Sequence, residues 1–92
     1  MTPEPCTNWY RTRRHLSVDL AEDRPYGRSG RSLCWTESNP VEVYDQAWIT
    51  EWARDRRRLG FATKDVVVVD LPECKKCAAK AAKLANATQK GG

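Results

Sequence analysis

The stretch Cys74-Lys75-Lys76-Cys77 governs how the rest of the chain is read. Two cysteines separated by two residues form a compact turn whose thiolates grip one metal ion together. Structural zinc takes four ligands in a tetrahedron, so this pair needs two further donors. The chain offers three: Cys6, Cys34 and His15, its sole histidine.

The case for metal begins with size. The chain has 92 residues, and its 22 large apolar side chains (Val, Leu, Ile, Phe, Trp, Tyr) make a thin core for one small domain. Structural zinc supplies roughly 10 to 16 kcal/mol of apparent binding free energy, against the roughly 5 to 15 kcal/mol of net stability of an ordinary domain. No apolar run approaches the length of a membrane span, and Met1 to Asn8 carries neither the basic nor the apolar region of a signal peptide. The expected location is therefore the cytoplasm, without membrane attachment. Thiols are kept reduced there, which favours metal ligation over disulfides as the use of four cysteines.

Sixteen Lys and Arg against twelve Asp and Glu give a net charge of +4. Residues 11–31 hold six Arg against three acids, 37–45 hold three acids and no base, and 54–58 hold four Arg and one acid. Acids interrupt every basic run, unlike the unbroken positive surface of a dedicated nucleic-acid coat.

Pro3 and Pro5 disfavour helix in the first residues, and 1–8, with Cys6, read as a flexible tail. A single domain is expected over 9–88, with 89–92 frayed. From Trp9 the chain takes a period of two, with Arg14, Leu16, Val18 and Leu20 on one face and Arg13, His15, Ser17 and Asp19 on the other. Residues 21–32, with Pro25, Gly27 and Gly30, read as a loop, and Ser32 to Thr36 as a second strand. A loop folded symmetrically about Arg24 and Pro25 sets His15 directly opposite Cys34, close enough for one ion to bridge them.

Asn39, Pro40 and Glu42 are placed as N-cap, first helical residue and capping-box partner, which predicts a helix over 40–59. Val41, Tyr44, Trp48, Trp52 and Leu59 fall on one stripe of that helix and are its expected core face, and Gly60 is its expected C-cap. Val43 is the weak point, because Val41 to Tyr44 also suits a short strand. Val66 to Val69 reads as a central strand leading into the cysteine pair. Behind Cys77, Ala78 to Ala87 is rich in helix formers. The expected fold is thus α+β: a small antiparallel sheet of about three strands, a helix at 40–59 and a C-terminal helix, stapled by one structural zinc. The ligand set read from the residues is His15, Cys34, Cys74 and Cys77, with an all-cysteine set using Cys6 as the alternative. Without a general base in a His-x-Glu or His-Glu-x-x-His pattern, no enzyme is expected.

With His15-Leu16, Cys34, Val66 to Val69 and Cys74-Lys75-Lys76-Cys77 in view, the chain resembles a group of small zinc-finger-like proteins of actinobacteria and their phages. The resemblance covers the ligands and their strands and implies a unit akin to zinc ribbons and treble clefs. The chain departs from the group at Trp35, where Gly is frequent, and in the segment 39–61, which reads as an insertion.

Two functions follow as expectations. One is a protein-interaction module, such as a phage product that binds a host protein through an exposed Trp9 or Trp35 flanked by Arg, the residue types enriched at interface hot spots. The other is a nucleic-acid-binding or transcription-associated protein using Arg11, Arg13, Arg14, Arg28, Arg31 and the lysines of the last helix on phosphates. The protein partner is favoured, and the Arg-bearing hairpin with Trp9 and Trp35 is the expected surface.

Overall fold

The computed structural model describes residues 2–23 and 26–91, with side chains as far as Asn86. Strands β1 (Glu4–Asn8), β2 (Arg14–Ser17), β3 (Ala21–Glu22), β4 (Arg28–Arg31) and β5 (Glu42–Tyr44) precede helix α1 (Gln46–Arg58), a single 3-10 turn at Val68–Asp70 and helix α2 (Lys75–Gly91). The five strands form one antiparallel sheet in the order β2-β1-β5-β4-β3. The α+β class stands, with five strands in place of about three.

The expected tail is instead an interior strand. β1 pairs with β2 through Glu4↔Ser17, Pro5↔Leu16, Cys6↔His15 and Thr7↔Arg14, and with β5 only at Thr7 and Asn8. Antiparallel residues alternate the side to which their backbone groups point. Arg14 and Leu16 use theirs on the outer edge, as described below, so His15 and Ser17 face Cys6 and Glu4. Pro5 then turns its missing donor to the side that β5 does not reach, which is where a strand tolerates proline. The turn after β1 is tied by the Asn8 side chain, whose Oδ1 accepts from the amides of Thr12 at 3.0 Å and Arg13 at 3.3 Å.

The predicted loop at 21–32 contains β3 and β4, which pair through Ala21↔Ser29 and Glu22↔Arg28. Cys34 is consequently not on a strand opposite His15. Ser32–Trp35 is a tight turn closed by the Trp35 amide on the Ser32 carbonyl at 3.1 Å. The predicted helix start also moves. Val43 is drawn into the sheet between Asn8 and Gly30 and is fully buried, so sheet pairing overrides the Asn39-Pro40 signal. Asp45 is the actual N-cap, accepting from the Trp48 amide at 2.9 Å. The other end is as expected. Gly60 has φ +95°, and the Gly60 and Phe61 amides donate to the Arg57 and Arg56 carbonyls, which is a Schellman closure.

The helix face differs from the predicted stripe. Ile49 and Ala53 are its buried residues, Leu59 is 76% exposed, and Trp48 and Trp52 stand half-buried at the rim. There they join Trp9 and Tyr44, with Trp9 meeting the three rings edge-on at 5.7–5.9 Å between centroids. Trp9 and the helix tryptophans are therefore one cluster, not a binding residue and a separate scaffold.

Val66 to Val69 is not a strand. Only Val68 is buried, whereas Val67 and Val69 are half or more exposed. Its backbone is bonded elsewhere: the Gln46 amide donates to the Val66 carbonyl and accepts from the Val68 N–H, both at 2.8 Å, and Arg14 donates to the Val69 carbonyl at 2.7 Å. Residues 72–74 already occupy the outer edge of β2. No helix among the described residues is long and apolar enough to cross a membrane.

Candidate metal centre

The edge strand β2 builds the site. The Arg14 N–H donates to the Pro72 carbonyl at 2.8 Å, and the Cys74 N–H donates to the Arg14 carbonyl at 2.9 Å, a short parallel bridge that docks the Cys-x-x-Cys turn. The Leu33 N–H donates to the Leu16 carbonyl at 2.8 Å and docks the Ser32–Trp35 turn beside it. Between Arg14 and Leu16 stands His15, so two loops distant in sequence deliver their cysteines to one imidazole. The strand edge that would otherwise expose unpaired amides and carbonyls is covered by these ligand loops. α2 begins at Lys75 and carries Cys77 in its first turn.

His15, Cys34, Cys74 and Cys77 are all buried, and their ligating atoms lie within 4.8 Å of one another. His15 Nδ1 is 3.6 Å from the Cys34 sulfur and 3.5 Å from the Cys77 sulfur, and the Cys74 and Cys34 sulfurs are 3.9 Å apart. Zinc bonds of about 2.3 Å to sulfur and about 2.0 Å to nitrogen imply tetrahedral edges of about 3.8 Å between sulfurs and about 3.5 Å from nitrogen to sulfur. These three spacings match those edges, the remaining pairs lying within 4.8 Å, and they are far longer than a disulfide bond of about 2.0 Å. The four residues can thus hold one metal ion, with Nδ1 as the imidazole ligand.

The surroundings suit that chemistry. The Ser32 hydroxyl sits 3.1 Å from the Cys34 sulfur, where it can donate to a thiolate. Leu16, Leu33 and Val41 pack against the three cysteines and exclude water. Burial, and next the Arg13 charge, hold His15 below its ordinary range, so the ring is neutral and its lone pair free. Burial pushes the Cys77 thiol up to about 12. Burial also works against ionisation of Cys74, but hydrogen bonds from the Cys77 backbone, the Cys77 and Cys34 side chains and the Lys76 backbone outweigh it and leave that thiol below its usual value.

Cys6 is not part of the cluster. It is fully buried on β1, and burial, followed by the charges of Cys77 and Asp19, pushes its thiol up to about 12. Its pairing with His15 places it beside the site as a packing residue.

The expected partner-binding residues differ in what they touch. Arg28 is held by both Glu4 carboxylate oxygens at 2.9 Å and by Asp45 at 3.1 Å, and Arg14 by the Val69 carbonyl, so both serve the fold. Arg31 lies over the Trp35 ring at 4.9 Å, and Arg11 over Trp52 at 4.3 Å. Arg13 is exposed. Trp9 and Trp35 share an open groove of about 770 Å³ with Tyr10, Val41 and Tyr44. Sequence reasoning missed Tyr10, which is 77% exposed, together with Trp52 and Arg56. The adjacent Trp9-Tyr10-Arg11 triplet was the available signal.

No protein-family description, curated protein or solved structure matches this chain.

Proposed function

We propose that the protein is a small, non-catalytic binding module whose fold is stapled by one structural zinc on His15, Cys34, Cys74 and Cys77. The observation that carries this reading is the agreement of the nitrogen–sulfur and sulfur–sulfur spacings with the edges of a zinc tetrahedron. Four protein ligands fill such a shell and leave no position for a substrate, which is the pattern of structural rather than catalytic zinc. Zinc is favoured over other divalent metals by the three thiolates with one imidazole. What the staple serves is presentation. It fixes β2, and through β1 the Trp9–Arg11 turn, which carries the most exposed aromatic residue described. A protein partner anchored on Trp9 and Trp35, such as a host protein bound by a phage product, remains the reading that the sequence favours for the aromatic groove.

Native mass spectrometry and elemental analysis of the purified chain test the core of the proposal. One zinc per chain is expected, lost on Cys34→Ala. A chain that folds with no metal, or retains stoichiometric zinc in Cys34→Ala, refutes the assignment.

A further inference from the structure

A second feature lies beside the Trp9–Arg11 turn and is not explained by the metal. Arg11 has φ +56°, a left-handed backbone that a long side chain adopts only under strain. The consequence of that conformation is placement: Arg11 lies over the Trp52 ring at 4.3 Å, and Arg56 lies over the same ring at 5.0 Å and over Phe61 at 4.4 Å. Two guanidinium groups are thus gathered on one indole. Among the described residues neither has a carboxylate partner, although Arg28, Arg54, Arg57 and Arg58 all do. Burial, and next the neighbouring Arg56 charge, weigh against the protonated form of Arg11.

The two arginines line a cleft of about 350 Å³ with Lys64, Thr63 and Tyr10, and no acidic side chain lines it. Tyr10 also lines the aromatic groove on its other side, next to Trp9. Three unneutralised cations therefore adjoin exposed ring faces, the combination by which single strands are held: backbone charge in a basic groove and bases on aromatic faces. A duplex hides its base faces, and carboxylate side chains offer no ring to stack on these.

We propose that this cleft binds a backbone phosphate of single-stranded nucleic acid, with Tyr10 stacking on the adjoining base. The proposal rests on the binding-module reading above and, at this cleft, assigns a nucleic acid in place of the protein partner that the sequence favours. Arg11 and Arg56 donate to the phosphate oxygens, Lys64 adds charge, and the neighbouring base continues toward Trp9.

The test is fluorescence anisotropy of a short labelled oligothymidylate titrated with the zinc-loaded chain, with zinc content measured on the same sample. Affinity should fall steeply as salt rises from about 50 to about 200 mM. Tyr10→Ala should weaken binding on the order of tenfold. Arg11→Gly should weaken it similarly and reduce the salt slope by about 0.7, while its melting temperature is not lowered, because Gly relieves the backbone. Lys80→Gln, on the lysine face of α2 that lacks aromatic residues, should change little. The proposal is overturned if the zinc-loaded chain ignores the oligonucleotide, or if Lys80→Gln costs as much as Arg11→Gly. It is equally overturned if duplex DNA binds as tightly, or if an oligoglutamate peptide displaces the strand at equal concentration, which would mark the cleft as a protein contact. A folded, zinc-free chain that still binds the strand through Tyr10 and Arg11 would refute the metal reading and leave this one standing.

Discussion

Replacing Cys77 by Ser probes how far the metal holds the fold. Among the described residues eight apolar side chains are buried, and half of them are cysteines: Cys6, Cys34, Cys74 and Cys77 beside Val43, Ile49, Ala53 and Val68. Cys77 is the only buried residue of α2 whose side chain is described, and Leu84, the helix's one large apolar residue, is 41% exposed. A hydroxyl at position 77 removes one of four ligands, against a metal contribution of roughly 10 to 16 kcal/mol and a domain stability of roughly 5 to 15 kcal/mol. Even a partial loss is then comparable to the whole stability. α2 holds 17 α-helical residues and α1 holds 13, so undocking α2 puts more than half of the helical signal at risk. Isolated helices gain stability only beyond about 12 to 15 residues, so a free α2 is little past that length and its ellipticity should fall with temperature. Circular dichroism at 222 nm of wild type, wild type with chelator and Cys77→Ser is the assay, with hydrogen exchange resolving α2 from α1. Wild type should lose signal with chelator and Cys77→Ser should resemble that state without it. If chelator leaves both the 222 nm signal and the α2 amide protection unchanged in a chain that held zinc, the metal is not structural and the reasoning fails.

Cys6→Ala should keep one zinc per chain by elemental analysis, and loss of the ion would restore the all-cysteine ligand set. Gly27→Ala and Gly60→Ala separate packing from backbone strain: a Cβ on Gly27 (φ +70°) would lie 2.4–2.5 Å from the Trp48 backbone and Cβ, whereas one on Gly60 (φ +95°) meets nothing within 4 Å. Denaturant melts should show about 1 to 2 kcal/mol lost at Gly60 and about 1 to 3 kcal/mol more at Gly27, and equal losses would refute the packing argument. Tyr26, held by its hydrogen bond to Asp55 at 2.6 Å, should ionise near 12 instead of the ordinary 10. Its folded value being the higher one, this contact contributes stability that is complete below pH 10 and lost as pH rises through about 12. Ultraviolet difference titration against Tyr26→Phe checks it, with the shift abolished in Asp55→Asn.

The four candidate ligands that the structure gathers were legible in the sequence because metal chemistry is local and restrictive. One Cys-x-x-Cys, one further histidine and two further cysteines leave few tetrahedral sets, and the Gly60 cap and the helix behind Cys77 depend on adjacent residues alone. The geometry that unites the ligands was not legible. His15 and Cys34 meet because two loops hydrogen-bond to one strand edge, not because they face each other across a hairpin, and a sequence pattern does not say which edge stays free. The same limit explains the other departures. Glu4–Asn8 became a strand because β2 and β5 offered partners that outweigh two prolines, and Val43 left its helix because a place between β1 and β4 was open. Val66 to Val69 lost its sheet because the Gln46 amide and the Arg14 guanidinium satisfied its backbone first. Local signals therefore determined the candidate donors and the Gly60 cap. Pairing, which couples residues far apart and rewards whichever partner satisfies the backbone in the finished fold, was decided by the tertiary structure alone.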